Sequence, residues 1–144
     1  YVNIVKGAFA KCDMLETVVI GENAVIGENA FNSCSMLKNI SIGNNVTLGT
    51  SCFSGAGKVS EVVIPEGTII IASRAFASCP ELTKVTIPAS VTDIYYRAFM
   101  NSGVVTINYL GTKQQWNEIN KIAGWDEFME EYEIVCSDGS LEAK

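Results

Sequence analysis

Aromatic and aliphatic residues recur at a fixed interval along this chain. A phenylalanine that follows a small residue occurs at intervals of 22, 22, 23 and 23 residues: Phe9, Phe31, Phe53, Phe76 and Phe99. Three residues later comes a second small residue: Cys12, Cys34, Ala56, Cys79 and Ser102. Six residues after the phenylalanine comes an aliphatic one: Leu15, Leu37, Val59, Leu82 and Val105. A fixed period of about 20–29 residues is typical of a stacked solenoid.

Each unit continues with a short stretch of period-two alternation rich in β-branched residues, which predicts a strand. The inward residues of these strands are Val18 and Ile20, Ile40 and Ile42, Val62 and Ile64, Val85 and Ile87, and Val105, Ile107 and Tyr109. Pro65 and Pro88 lack an N–H group and are expected to end two of the strands. A second apolar element follows: Val46 and Leu48, Ile69 and Ile71, Val91 and Ile94. The segment around each Ala-Phe pair is predicted to be a tight helical or irregular turn.

One unit alone cannot bury its own apolar stripe, whereas stacked units can. We therefore expect each phenylalanine to lie on the next, inside a stack of short parallel strands about 4.8 Å apart. Residues 75–97, AFASCPELTKVTIPASVTDIYYR, and residues 30–51, AFNSCSMLKNISIGNNVTLGTS, resemble the unit AFxxCxxLxxVxIPxxVxxIGxx of BspA-like leucine-rich repeats. The resemblance covers about residues 4–110. It departs from the pattern at Cys52, Ala56 and Ser102 and in a fifth unit that is one residue shorter.

The resemblance implies a right-handed leucine-rich-repeat superhelix of short parallel strands joined by irregular or short helical turns. We predict one domain over residues 1–144, because a chain of this length favours a single core. Its parts are a partial repeat at 1–6, repeats at 7–29, 30–51, 52–74, 75–97 and 98–110, and a helical C-terminal cap at 111–144.

The predicted cap begins where the period stops, after Tyr109. Thr112 and Gln115 form a T-x-x-Q capping box, so a helix is expected from Lys113. Trp116, Ile119 and Ala123 would share its apolar face, and Gly124 would end it.

A second apolar set follows Gly124, with glutamates facing outward from a capping helix: Trp125, Phe128, Met129 and Tyr132. The residues EIVC at 133–136 predict a last strand, followed by a turn at 137–139. A terminal unit of this kind would cover the exposed end of the stack.

Composition limits the possible functions. Hydrophobic residues make up 48% of the chain and charged residues 18%, as in ordinary globular domains. Residues 1–112 carry 8 acidic and 7 basic residues (net −1), and residues 113–144 carry 8 and 3 (net −5). With no basic stripe, we expect no nucleic-acid partner. No apolar run reaches the roughly 18 residues of a membrane span, so we expect no transmembrane segment.

Histidine is absent, which removes histidine-based triads, histidine general bases and the commonest metal ligand. We therefore predict no enzyme, no catalytic residue, no metal site and no cofactor. The segment SGAGK at 54–58 lacks the spacing of a phosphate-binding loop. The acidic run is better explained as a solvated outer face than as a calcium site: Asp126, Glu127, Glu130, Glu131 and Glu133.

The cysteines are candidates for chemistry or for the core. Cys12, Cys34 and Cys79 share one repeat position and would form a ladder of small apolar residues inside the stack. A metal site or disulfides are the alternatives, but Ala56 interrupts the row and no C-x-x-C spacing occurs. We expect Cys52 to be buried and Cys136 to be the most accessible.

Two rows of side chains are predicted to point outward from the strands. The first outward row is Thr17, Asn39, Glu61, Lys84 and Thr106. The second outward row is Val19, Ser41, Val63, Thr86 and Asn108. The five repeats therefore present small, polar or β-branched residues to a protein or glycan partner.

A second candidate patch is the turn cluster of Tyr95, Tyr96 and Arg97, whose residue types are those of interface hot spots. The alternative is that one tyrosine packs inward and the other residues are merely exposed.

The leading hypothesis is a non-enzymatic binding or adhesion module. The resemblance implies an extracellular or cell-surface protein of bacterial origin that recognises proteins of a host or a neighbouring cell. The alternative is a structural spacer or stalk for another domain. Because the chain opens YVNIVKGAF, with no Met and no signal peptide, we expect a longer polypeptide with further repeats or domains N-terminal to these residues.

Overall fold

Each repeat unit forms one coil of a β-solenoid in the computed structural model, which describes residues 1–142. Residues 143 and 144 of the predicted domain lie outside the described residues. In chain order the elements are β1 (Asn3–Ile4), β2 (Thr17–Ile20), β3 (Val25–Ile26), β4 (Asn39–Ile42), β5 (Thr47–Leu48), β6 (Glu61–Val63), β7 (Ile70–Ile71), β8 (Lys84–Ile87), β9 (Asp93–Ile94), β10 (Thr106–Tyr109), α1 (Lys113–Glu118), β11 (Asn120–Lys121), β12 (Glu133–Cys136) and β13 (Gly139–Glu142).

The strands form two faces. The even-numbered strands from β2 to β12 lie along a long face, and the odd-numbered strands from β1 to β11 lie along a short face. The strand pairs within both faces are parallel, and β13 ends the long face as an antiparallel neighbour of β12. This is the leucine-rich-repeat solenoid of short parallel strands that the sequence predicts.

Phenylalanine rings stack through the interior of the turns. The centroids of successive rings are 5.2, 5.2, 5.7 and 5.9 Å apart from Phe9 to Phe99, with interplanar angles of 10° or less. The N–H group of Phe31 donates to the carbonyl of Cys52 at 2.9 Å, and the corresponding bond recurs between the other coils. Phe9, in the first coil, contacts one ring and is 45% exposed.

The turns around these rings are irregular rather than helical. In every coil two residues four positions apart have φ values in the left-handed region: Gly7 and Lys11, Asn29 and Ser33, Ser51 and Gly55, Arg74 and Ser78, Arg97 and Asn101, and Gly124 and Phe128. Such residues direct their N–H groups along the stack. Ser33 N–H, for example, donates to the carbonyl of Ser54 at 2.7 Å.

Both faces are divided at the same boundary, between the coil of β4 and β5 and the coil of β6 and β7. The period changes from 22 to 23 residues there. On the short face, the inward pair Val46 and Leu48 is two residues apart, whereas the inward pair of the next coil, Thr68 and Ile71, is three apart. Ile69, predicted to be inward, is therefore exposed, and Thr68 occupies the interior with its hydroxyl donating to the carbonyl of Val46.

The fifth coil differs from the prediction in its first inward residue. Val104 is 1% exposed and Val105 is 51% exposed, so Val104 takes the aliphatic position that the sequence assigns to Val105. Because Thr106 pairs with Lys84, Val104 precedes its strand by two residues, as Leu82 does. The shortened unit thus has one residue between Ser102 and Val104, where the preceding unit has two between Cys79 and Leu82. The inward alternation of its strand begins at Ile107.

The helix of the cap is shorter than predicted. The capping box is confirmed: Gln115 N–H donates to Thr112 Oγ1 at 3.2 Å, and Thr112 N–H donates to Gln115 Oε1 at 2.8 Å. The helix ends at Glu118 rather than at Gly124, and Lys121 Nζ donates to the carbonyl of Trp116 at 2.6 Å. Ala123 is exposed and does not share the apolar face.

Residues 120–136 form a further, longer coil instead of a second helix. β11 pairs with β9, and β12 pairs with β10 in register. Trp125, Met129 and Tyr132 are buried, but Phe128 points outward. The reason is that Gly124 and Phe128 adopt the left-handed pair of a repeat turn, which no helix can accommodate.

A column of aromatic rings lies at this end of the stack. The rings of Tyr109, Trp116, Trp125 and Tyr132 meet edge to face, with centroids 5.3, 6.0 and 6.0 Å apart. Tyr132 donates its hydroxyl to Asp126 at 2.8 Å, which satisfies the polar end of a buried side chain. The cap therefore covers the last coil with large rings.

Candidate binding surfaces

The first outward row lies on the long face. Its pairs occupy matching register positions: Thr17 opposite Asn39, Glu61 opposite Lys84, and Lys84 opposite Thr106. Asn39 Nδ2 donates to Thr17 Oγ1 at 3.3 Å. The side chains are exposed as far as Lys84, and Thr106 is half-buried.

The second outward row runs beside the first. Val19 lies opposite Ser41, Val63 opposite Thr86, and Thr86 opposite Asn108. Val19 and Val63 are exposed large hydrophobic residues, and Thr86 and Asn108 are half-buried. Together the two rows form an extended, mildly polar surface.

Both rows extend beyond the residues that the sequence predicts. Glu133 continues the first row opposite Thr106, and Val135 continues the second opposite Asn108. The strand that carries them was predicted from EIVC. The register of this strand could not be predicted, because the interval of 27 residues from Tyr109 to Cys136 no longer follows the repeat. Glu61, Lys84 and Glu133 give the first row charges of both signs.

The short face carries a third outward row that the sequence reasoning missed. Its members occupy matching register positions on the odd-numbered strands: Asn3, Val25, Thr47, Ile70, Asp93 and Asn120. Asp93 accepts hydrogen bonds from Thr92 and Asn120 at 2.6 and 2.8 Å, and these bonds lower its pKa. Alternation over only two residues per strand is too short a signal to recognise in the sequence.

The turn cluster lies between the fifth coil and the cap. Arg97 Nε donates to Glu127 Oε2 at 2.7 Å, a bond that raises the pKa of the guanidinium. The same guanidinium lies 4.5 Å from the ring centroid of Tyr96 and 5.2 Å from that of Phe128. Tyr95 is exposed, whereas Tyr96 is half-buried and its ring packs on Gly124.

The cysteines are placed mostly in the core. Cys34, Cys52 and Cys79 are buried as predicted, and Cys12 is half-buried in the first coil. Desolvation raises the pKa of Cys52 to about 12 and that of Cys79 to about 11. Cys136, predicted to be the most accessible, is only 6% exposed, because it is an inward residue of β12.

Within residues 1–142 no group of three or more His, Cys, Asp or Glu side chains is arranged to hold a metal ion. None of the described helices combines the length and apolar character needed to cross a bilayer.

Comparisons with known proteins agree with the geometry. A family model described as "BspA type Leucine rich repeat region (6 copies)" matches residues 2–121. The crystal structure of a leucine rich cell surface protein from Faecalibacterium prausnitzii A2-165 superposes with a TM-score of 0.76 and 34% identity over 83% of this chain. The chain spans 32% of the length of that protein. No curated protein matches the chain.

Proposed function

Because the chain belongs to the BspA-type leucine-rich repeat family, we propose that it is a non-enzymatic binding or adhesion module of a bacterial surface or secreted protein. Its first and second outward rows present the long face to a protein partner. The observation that carries this proposal is the register of the long face, which aligns exposed side chains from successive coils into rows on each side of the boundary between β4 and β6. Such repeat faces form extended binding surfaces.

The chemistry of the rows favours a protein over a glycan. Val19 and Val63 add exposed apolar area, and Glu61 and Lys84 add both charges within one row. Apolar area framed by polar side chains is typical of protein interfaces. The aromatic rings on which sugars stack are missing from the side chains of these two rows.

The proposed localisation is extracellular or at the cell surface. Its support is the similarity to a protein described as a leucine rich cell surface protein. Catalysis is not part of the proposal, because the chain has no histidine and its most buried thiols have raised pKa values.

Further repeats at the N-terminal end of the stack are also part of the proposal. Phe9 leaves nearly half of its ring uncovered there, and Val2 and Val5 are exposed beside it. An exposed apolar end of this kind can pack against another coil, whose phenylalanine would extend the stack of rings from Phe9 to Phe99.

A structural spacer is the second candidate function. The observation that favours it is the absence of Trp, Tyr, Phe and Arg from the ten side chains of the two predicted rows. Interfaces usually concentrate their binding energy in such residues. In that case the coils would hold another domain of a longer chain at a distance.

An array experiment separates the two functions. Beads carrying the domain are applied to arrays of purified secreted proteins and glycans. The row variant replaces Thr17, Asn39, Glu61, Lys84 and Thr106 by alanine, and the control Thr47→Ala/Thr50→Ala removes exposed polar groups elsewhere. Binding to a protein that the control keeps and the row variant loses supports recognition by the long face. Equal binding by both variants contradicts it, and an array without signal favours the spacer.

A further inference from the structure

The only two arginines of the chain occupy the same place in adjacent coils. Eight of the ten basic residues are lysines, and Arg74 and Arg97 are the other two. Both are the first left-handed residue of their turn, with φ values of 54° and 56°. In the other coils this position holds Gly7, Asn29, Ser51 and Gly124, which tolerate the left-handed region better than arginine does.

These arginines form an alternating stack with two aromatic rings. The guanidinium of Arg74 lies 5.8 Å from the ring centroid of Tyr96, and that of Arg97 lies 4.5 Å from the same ring. Arg97 also lies 5.2 Å from the ring centroid of Phe128. We call Arg74, Tyr96, Arg97 and Phe128 the arginine stack. It spans three successive coils and so gives a wider surface than any single turn.

Phe128 is the least expected member of the arginine stack. It has a φ value of 62°, which is unfavourable for a bulky side chain, yet its ring is 57% exposed and cannot be explained by core packing. The equivalent turn positions hold Lys11, Ser33, Gly55, Ser78 and Asn101. Residues held in sparsely populated backbone conformations cluster at functional sites.

The two arginines differ in their charge partners. Arg97 is paired with Glu127 at 2.7 Å. Arg74 is exposed and belongs to none of the three ion pairs found among residues 1–142, which are Lys6–Glu28, Lys58–Glu81 and Arg97–Glu127. One guanidinium of the stack therefore remains available for an external carboxylate, which arginine binds in a bidentate manner.

We propose that the arginine stack docks an acidic segment of a partner protein, in which a carboxylate pairs with Arg74 and an aromatic or aliphatic side chain of the same segment packs on Phe128. The proposal rests on the proposed binding function and adds to it a second surface, on the turns instead of the long face. A peptide fits better than a glycan, because the Arg97 guanidinium already covers the Tyr96 ring on which a sugar would stack.

The test uses a random-peptide phage library selected against the whole domain. We expect the selected peptides to contain both an aspartate or glutamate and an aromatic or aliphatic residue. Affinities of these peptides are then measured by calorimetry at low and high salt for wild type, Arg74→Gln, Arg74→Lys, Phe128→Asn and the control Lys38→Gln. Loss of an anchor residue should weaken binding by about tenfold or more.

Phe128→Asn separates recognition from a structural role. Asparagine tolerates the left-handed region, so the variant should unfold at the same or a higher urea concentration and yet lose the peptide. Lys38→Gln should bind the peptides as wild type does. Arg74→Lys should not restore binding, because the lysine ammonium lacks the planar guanidinium that binds a carboxylate in a bidentate manner.

Three outcomes would overturn the proposal. These are selected peptides without acidic residues, affinities that do not change in Arg74→Gln and Phe128→Asn, and a glycan signal that depends on these two residues in place of a peptide signal. The row variant distinguishes this proposal from that for the long face, because it should bind the peptides as tightly as wild type. Peptides that no longer bind the row variant but still bind Phe128→Asn would favour the long face as the only binding surface.

Discussion

The inward and outward positions of the long-face strands differ in how much the residue type changes from coil to coil. The inward side holds a β-branched aliphatic residue at the same register position in every coil: Val18, Ile40, Val62, Val85, Ile107 and Ile134. The outward neighbours include two hydroxyls, an amide and both charges: Thr17, Asn39, Glu61, Lys84, Thr106 and Glu133. Stacking constrains the inward side, whereas the outward side is free to carry recognition.

The largest difference in stability is expected between alanine substitutions at an inner and at the terminal ring of the phenylalanine stack. Phe53 is fully buried between the rings of Phe31 and Phe76, so Phe53→Ala should lower the free energy of unfolding by about 3–5 kcal/mol. Phe9→Ala should cost clearly less, because Phe9 is partly exposed and contacts one ring. Urea unfolding of both variants measures the difference. Equal losses would mean that the rings do not act through burial.

The close approach of coils can be tested at a glycine. A Cβ atom on Gly57 would overlap the carbonyl oxygen of Ser35, so Gly57→Ala should cost about 1–3 kcal/mol by forcing the coils apart. A Cβ atom on Gly21 would meet nothing within 4 Å, and Gly21→Ala should be neutral or slightly stabilising. Thermal unfolding of the pair checks this. A neutral Gly57→Ala would show that the third coil is looser than the geometry indicates.

Alkaline pH should destabilise the interior through its thiols. Burial raises the pKa of Cys52 from 9.0 to about 12, so the folded protein keeps a proton that the unfolded chain releases above pH 9. The free energy of unfolding should therefore fall between pH 9 and about 12, by at most about 1.4 kcal/mol per pH unit for this group. Cys79 and Tyr132, whose pKa values are also raised by burial, act in the same direction.

Cys52→Ala is the matched control, because alanine occupies this position in four other coils: Ala8, Ala30, Ala75 and Ala98. The variant should fold and show a shallower decline above pH 9 in urea titrations followed by circular dichroism. An unchanged pH profile would contradict the assignment to Cys52.

The smallest effect is expected on the outward side of β8. Lys84→Ala should change the free energy of unfolding by no more than about 0.5 kcal/mol, because the side chain is exposed and forms no ion pair among the described residues. The adjacent Val85→Ala removes a fully buried side chain and should cost about 1.5 kcal/mol or more. Similar losses for both would show that the outward side also carries the fold.

Sequence periodicity was sufficient for the solenoid and its inward residues wherever the period held. It failed where the interval changed. Ile69 is outward because a 23-residue coil adds one residue to the short face, and Val105 is outward because its unit is one residue shorter. Apolar spacing of Trp125, Phe128 and Tyr132 fits a helix in the sequence, but the left-handed conformations of Gly124 and Phe128 exclude one.

The candidate surfaces were predictable only where alternation reached three or four residues. The positions of the two outward rows follow from such strands. Phe128 and Arg74 join Tyr96 and Arg97 through turns of neighbouring coils, and their proximity depends on backbone conformations that no spacing rule reveals.

One paired measurement addresses the proposed division between an interior that builds the fold and an outward side that binds. The free energy of unfolding and the array signal are measured for the row variant, which replaces Thr17, Asn39, Glu61, Lys84 and Thr106 by alanine. We predict an unfolding curve close to that of wild type together with loss of binding to a protein partner. Retained binding, or binding lost only in step with stability, would contradict recognition by the first outward row.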